Sequence, residues 1–314
     1  MTETTAAKRT ARLDIPGTGQ EPATFVPYGV IQGSAPGPRV AIVAGVHGTE
    51  LVTQDAVQEL WKSLEPDQVR GSLTVIFVAD VLAAQAGLPG ANPVDGRNLN
   101  RVWPGSHDGT FSERLAARIW SELLLESEVV VDVHGGEWVE DVHPFAIVHA
   151  SGDAARDHRA LELGSLLGLP FVETTPGEGT LSGSVARTGG IGLAMEVGGG
   201  GRRSTEERAL LVAALQRVLA ALGSIEGNSQ DQAPSTVSLS GAVQLRSSVA
   251  GVVVSSVQAG QTVAVGELLC TVTDFDGTVL ETVLAPHSGW VLLRPLARVV
   301  AAGALLATVG WADN

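Results

Sequence analysis

The stretch Val40-Ala-Ile-Val-Ala-Gly-Val-His-Gly-Thr-Glu50 decides the reading of this chain. Its opening residues are apolar throughout, as a strand covered on both faces requires. Gly45 and Gly48 let the chain turn tightly, and Thr49 reads as the N-cap of a helix from Glu50 to Leu64. His47 and Glu50, three apart at the helix opening, face the same way. A second apolar run, Val129 to Val133, ends directly in His134. If the two strands share a sheet, His47, Glu50 and His134 converge on one cation. Two imidazoles and one carboxylate leave a tetrahedral zinc ion with its fourth position open to water, the donor set of a hydrolase. Taken alone, the His-x-x-Glu pair also fits a surface histidine beside a glutamate set against the helix dipole.

The whole chain frames this reading. Its 314 residues, 44% hydrophobic, suffice for one large domain and a small one. A formal charge of -14 repels phosphate, which argues against a general role on nucleic acid or an anionic membrane. An anionic substrate therefore needs local positive groups. Cys270 is the only cysteine, so no intramolecular disulfide or thiolate zinc site can form, and cytoplasm is the default compartment. The opening MTETTAAKRTARLDIPG has no apolar core of an export signal, and no apolar run reaches about 18 residues. Residues 1–15 are expected to be a flexible tail.

From about residue 24 to 223, short β-branched runs alternate with helical stretches, which is an α/β pattern. Strands are expected at Val40–Gly45, Leu73–Ala79, Val129–Val133, Phe145–His149 and Ile191–Val197. Helices are expected at Glu50–Leu64, Ser112–Leu125, Ala154–Leu167 and Thr205–Leu222, with Ser112 and Ser204 as caps. The catalytic domain then spans 16–224. The polar stretch Gly223–Thr236 marks a linker over 225–236. Residues 237–314 form a small all-β unit of short runs broken by glycine. Its halves SVAGVVVSSVQAGQTVAVGELL and APHSGWVLLRPLARVVAAGALL resemble each other, the quasi-repeat of the barrel-sandwich fold of biotinyl and lipoyl carriers. Carriers need a lysine at the hairpin between the halves. Here that hairpin is Thr273–Thr278 and the chain's lysines are Lys8 and Lys62, so carrier function is excluded. A lid, an assembly surface or a wall of the site remain as its roles, and homo-oligomerisation is left open.

Two further stretches carry chemistry. In Asp95-Gly-Arg-Asn-Leu-Asn-Arg-Val-Trp-Pro-Gly105, amides and guanidinium groups crowd one loop. Asn100 beside Arg101, facing a metal, would receive a substrate carboxylate, with the arginine binding it through two donors. The same arginine could instead brace the loop. In Ala194-Met-Glu-Val-Gly-Gly-Gly-Gly201, Glu196 closes an apolar strand, where an unpaired charge is costly. A carboxylate so placed has a raised pKa and can move a proton between water and a leaving amine. Its alternative is an ion pair with Arg202 or Arg203. Asp132, two residues before His134, is a candidate to support that ligand from behind.

HGTE, NLNR followed by Trp-Pro-Gly, DVHGG and MEVGGGGR, in this order, resemble the succinylglutamate desuccinylase and aspartoacylase family. Within it, the chain looks most like deacetylases of N-alpha-acetyl-diaminobutyrate type. The resemblance covers nearly the whole chain, β unit included. It implies a zinc carboxypeptidase-like mixed central sheet flanked by helices, Zn2+ held by His47, Glu50 and His134, a carboxylate clamp of Asn100 and Arg101, and Glu196 as general base and acid. One feature departs: relatives carry a further arginine before the Asn-Leu-Asn-Arg motif that polarises the scissile carbonyl, and Ala83–Val94 contains none. Arg97 is the nearest substitute, and Arg187 is a candidate to grip an acyl or side-chain group.

The function expected is a zinc-dependent amidohydrolase acting on a small anionic N-acyl amino acid. A metallocarboxypeptidase acting on small peptides uses the same metal logic. A metal- or ligand-binding relative without turnover is the third reading.

Overall fold

The computed structural model describes residues 6–227 and 234–313. The elements run β1 (Ala7–Ile15), β2 (Thr24–Gln32), β3 (Ala35–Ala44), α1 (Leu51–Ser63), β4 (Arg70–Ile76), α2 (Val81–Ala86) and α3 (Phe111–Ile119). Then come β5 (Val129–His134), β6 (Glu140–His149), α4 (Ala154–Leu166), β7 (Phe171–Thr175), α5 (Leu181–Arg187), β8 (Ile191–Gly199) and α6 (Thr205–Ala221). The β unit adds β9 (Val237–Ser238), β10 (Gly241–Arg246), β11 (Gly251–Ser255), β12 (Thr262–Val263), β13 (Leu268–Thr273), β14 (Val279–Leu284), β15 (Gly289–Pro295), β16 (Val299–Val300) and β17 (Leu305–Trp311).

One mixed sheet is ordered β1-β2-β4-β3-β5-β8-β6. Its centre, β4, β3, β5 and β8, is parallel, and β6 closes on β8 antiparallel. The apolar runs read in sequence are these central strands, and the alternation of their side chains sorts two cores. Val40, Ile42, Val129, Val131, Val133, Leu193, Met195 and Val197 pack beneath α1, α4 and α6. Ala41, Val43 and Val130 face the other way, toward α3 and α5. Asp132 and His134 share the face of Val130, as does Glu196 beside His134. Strand periodicity thus places the chemistry on one face, at the carboxyl ends of parallel strands, where open α/β sheets bind ligands.

The chain's beginning differs from expectation. Ala7–Ile15 is paired along its length with β2, so residues 7–15 are an edge strand and not a tail, while residues 1–5 lie outside the described residues. Leu13 and Ile15 alternate inward, at 8% and 2% exposure, but Lys8, Arg9, Arg12 and Asp14 between and before them hide the period. Charges of this kind are how edge strands resist further pairing. Two caps also move. Thr110, not Ser112, caps α3 in a reciprocal box with Glu113; Ser112 is buried and binds Asp95 through its backbone N–H and its hydroxyl, each at 2.8 Å. Glu50, not Thr49, is the N-cap of α1, and the Thr49 hydroxyl donates to Glu137 at 2.6 Å. Ser204 does accept from the Glu207 N–H. Of the expected linker, residues 228–233 lie outside the described residues.

The two resembling halves of the β unit exchange strands. β12 of the first half pairs with β15 of the second, and β16 of the second pairs with β11 of the first. The result is a sheet β14-β13-β11-β16 facing β15, β17 and β10, with Leu269, Val272, Val291 and Val309 between them. This unit joins the main sheet: β15 pairs with the first part of β6 and β7 with the last part. Leu239 and Leu292 pack there on Val142, Phe145 and Phe171. Among the described residues no helix is long and apolar enough to cross a membrane.

Leu292, fully buried at this seam, tests how much the joint contributes. Leu292→Ala removes buried methyl groups where neither layer can collapse, so a loss of about 3 kcal/mol is expected in denaturant unfolding.

Candidate active site

The turn after β3 is shaped by glycine. Gly45 has φ +65, and a Cβ on Gly48 would lie 2.1 Å from the backbone nitrogen of Ala84. This close approach presents His47 and Glu50 to the end of β5. Glu50 Oε1 is 2.7 Å from His47 Nδ1, and Glu50 Oε2 is 3.0 Å from His134 Nδ1. The two ring centroids are 5.0 Å apart, and one ligand atom from each of the three residues lies within 4.8 Å of the others. The predicted trio is therefore brought together as a group that could hold a metal ion.

The charges around it ask for a cation. Glu50 is 3% exposed, and burial pushes its carboxyl up; the neighbouring charges of His134 and His47 prevail and hold it below the usual range. Burial also opposes charge on His47, but Glu50 drives it up to about 9, and Asp132 with Glu50 drives His134 well above its ordinary value. Asp132 Oδ2 is 3.0 Å from His134 Nε2. Both oxygens of Asp132, at 0% exposure, lack a hydrogen-bond partner among the described residues. Burial pushes Glu137, next to this group, up to about 7. So much buried carboxylate around two imidazoles, with two ring nitrogens and a carboxylate oxygen converging, fits a divalent cation. Asp132 stands behind His134, where it can orient the ring.

A cavity of about 240 Å³ opens beside His134. Arg101, Glu196, His149, Glu173 and Ser182 line it from the catalytic side, and Ala242, Gln244, Leu293 and Thr308 of the β unit close it. Glu196 pairs in register with His134, and burial pushes its carboxyl up to about 8 against the attraction of that histidine. Its alternative partners are engaged elsewhere: Arg202 with Asp141 and Glu207, Arg203 with Asp55.

The other candidates separate. Asn100 Nδ2 lies 3.0 Å from His134 Nε2 while its Oδ1 accepts from the Leu181 N–H at 2.9 Å, so both ends of the amide have partners. Arg101 lines the cavity and donates from Nη1 to its neighbour's carbonyl at 2.7 Å. Arg97 turns away to Glu113 at 3.3 Å, and Arg187 binds the carbonyls of Pro176 and Gly177; neither lines the cavity. Sequence reading missed Asn98, whose Oδ1 is 3.0 Å from His47 Nε2, and missed His149, Glu173 and Glu137. Asn98 stood in the quoted motif. Glu173 had a weaker signal, an acid inside the β-rich run Phe171-Val-Glu-Thr-Thr175.

His149 gives a pH test. Burial lowers its pKa below 6.5 and prevails over the Thr175 carbonyl, 3.2 Å from Nδ1, which favours the charged ring; Nε2 lies 2.8 Å from the Ser182 hydroxyl. A group whose folded pKa is lowered contributes stability that is complete above its unfolded value and is lost as pH falls toward the folded value. Thermal unfolding followed from pH 7.5 to 5 should show a falling midpoint below about 6.5, with a shallower fall in His149→Asn. An identical slope in the variant would exclude His149 as a source.

Known proteins resemble this chain in sequence and in fold. Residues 36–222 match the succinylglutamate desuccinylase/aspartoacylase catalytic domain. An N-alpha-acetyl-L-2,4-diaminobutyric acid deacetylase of Halomonas elongata is 33% identical over 211 residues, 66% of this chain; the match spans 61% of that relative's length. The product-bound ectoine utilization protein EutE (DoeB) of Ruegeria pomeroyi superposes with a TM-score of 0.88 at 26% identity, over 99% of this chain and 97% of that one. A succinylglutamate desuccinylase/aspartoacylase of Rhodobacter sphaeroides gives 0.85 at 26% identity, over 98% and 96%. With its catalytic-domain match spanning most of the α/β region, the chain belongs to the succinylglutamate desuccinylase/aspartoacylase family.

Proposed function

We propose that this protein is a zinc-dependent deacylase that cleaves the N-acyl amide bond of a small N-acyl amino acid, releasing a carboxylate and a free amine. The observation that carries the reading is the placement of Glu196 and Arg101 in one small cavity lined also by His134, one member of the His47, Glu50 and His134 group. Those three residues would hold the zinc ion, which when bound supplies Lewis acidity toward the carbonyl and makes water a better nucleophile.

The chain's own groups do the rest. Glu196, whose burial favours the protonated form, accepts a proton from the attacking water at its carboxylate and returns it to the departing nitrogen. Arg101 binds the substrate α-carboxylate, which fixes the amide over the reacting position. Asn100, engaged at both ends of its amide, holds His134 in place and leaves the gripping to Arg101. Arg97 and Arg187 have no part in this scheme, since each is committed outside the cavity.

The β unit favours small substrates over peptides. Gln244, Leu293 and Thr308 wall a cavity of about 240 Å³, below the range of about 300–1,000 Å³ common for drug-sized ligands. An acyl group as small as the acetyl named for the Halomonas elongata relative suits that volume.

Purified protein should contain stoichiometric zinc, lose hydrolysis of Nα-acetyl amino acids on chelation, and leave blocked dipeptides intact. Glu196→Gln should keep the zinc while kcat falls by at least about 100-fold, the scale of general acid–base catalysis. Full turnover in that variant would sink the assignment of Glu196, and preference for the dipeptides would establish the peptidase reading instead.

A further inference from the structure

The hairpin Thr273–Thr278, where a carrier domain would hold its lysine, has no part in the scheme above, and the sheet around it breaks a rule. An antiparallel sheet with one wet face alternates apolar and polar residues. The sheet β14-β13-β11-β16 does not. Val253, Cys270, Val272, Val283 and Val300 face the core of the β unit. The alternate positions face outward: Val252 and Val254 on β11, Thr271 and Thr273 on β13, Leu280, Thr282 and Leu284 on β14, and Val299 on β16. None is charged, and the exposures of Val254, Leu280, Leu284 and Val299 run from 47% to 56%. Phe275, at the tip of the hairpin, is 79% exposed. Glu281, the one acid of β14, turns away to Ser247 and Ser248. The lysines and prolines that keep exposed sheets from associating are absent from these four strands.

Two charges frame the patch. Thr273, Val252 and Val299 are level with one another across β13, β11 and β16. Asp274 follows Thr273 and Arg298 precedes Val299, so the two stand about 10 Å apart, two strand spacings, on opposite sides of one groove. Among the described residues neither is in an ion pair, whereas Arg294 is held by Asp141. Val252, Val254, Phe275 and Val299 line the groove between them. A two-fold axis parallel to β11, laid in the plane of contact, brings each side of the groove over the other. It sets Asp274 of each copy over Arg298 of the second and seats Phe275 against Val299. In a chain of formal charge -14, an uncharged face flanked by its own counter-charges is where a second copy meets least repulsion.

We propose that this outer face of the β unit is the interface of a symmetric homodimer, two such sheets packed face to face about a two-fold axis. The occupant is a second copy of this chain, because the groove and its flanking charges are self-complementary. The catalytic cavity is clear of the contact, since its wall comes from β10, β15 and β17 on the other side of the unit. Four strands about 4.8 Å apart and roughly 20 Å long give about 400 Å² in projection, the small end of specific interfaces, so dissociation in the micromolar range is expected. The proposal is independent of the deacylase reading.

Sedimentation velocity of the purified protein, from about 1 to 100 μM, should pass from monomer to dimer. Val254→Glu, at a position exposed in the monomer, should stay monomeric throughout and keep the wild-type unfolding midpoint. Asp274→Arg and Arg298→Asp should each weaken association by about 10-fold, since one change breaks two pairs in a two-fold dimer and sets like charges together. Combining the two reversals restores both pairs with opposite polarity, and the wild-type dissociation constant should return. A wild type that is monomeric at every concentration overturns the proposal. So does a dimer indifferent to Val254→Glu, a double reversal no better than the single ones, or growth past the dimer into open chains.

Discussion

The carboxylate of Glu50 is buried between two imidazoles, and much of the architecture follows from keeping it there. An unpaired charge at 3% exposure costs several kcal/mol. Glu50 caps α1, whose amino end carries positive dipole, yet its side chain makes no bond to the helix and turns to the histidines instead. That orientation requires His47 to follow the Gly45 turn and His134 to end β5. It also requires β3 and β5 to be adjacent and parallel, with Val43 level with Asp132. A one-residue slip of β5 would carry His134 and Asp132 into the core beneath α1, α4 and α6 and push Val133 into the site. Register and site charge are thus one constraint.

The same argument extends across the sheet. β8 sets Glu196 level with His134, and β6 sets Phe145 level with Glu196. Successive residues of β6 then alternate between the core, through Ala146 and Val148, and the cavity, through Phe145, Ile147 and His149. The cavity is a strip of one sheet face left without a helix, and the β unit covers it. Because β15 hydrogen-bonds to β6, the cover is held by backbone pairing as well as by side-chain packing. A carrier domain on a free linker could not hold Leu293 and Thr308 in fixed positions against Phe145 and Ile147.

The central strands were legible because strands covered on both faces are apolar at every position, and a histidine or glutamate at their end breaks the pattern visibly. Val129 to His134 is the clearest example. β1 was illegible for the opposite reason: an edge strand has one wet side, and its arginines dominate Leu13 and Ile15. Arg97 and Arg101 look alike in the sequence, four residues apart in one loop. Contacts from Asp95 to Ser112 and from Arg97 to Glu113 pin the first half of that loop against α3, so that Arg101 enters the cavity and Arg97 does not. Such sorting depends on partners beyond the loop. Glu173 was hidden more deeply, since the rest of the cavity lining draws on six other strands and on residues as distant as Thr308.

Charge ties the site to the whole molecule. The chain carries 34 acidic against 20 basic side chains, and its long-range field disfavours anions at every face where no arginine stands close. Deacylation turns one neutral amide into an anionic acid and a cationic amine. In an acidic protein the long-range field repels the acid product and attracts the amine. The surface field thus acts on a carboxylate at a distance, whereas the arginine proposed to grip it, Arg101, acts at contact.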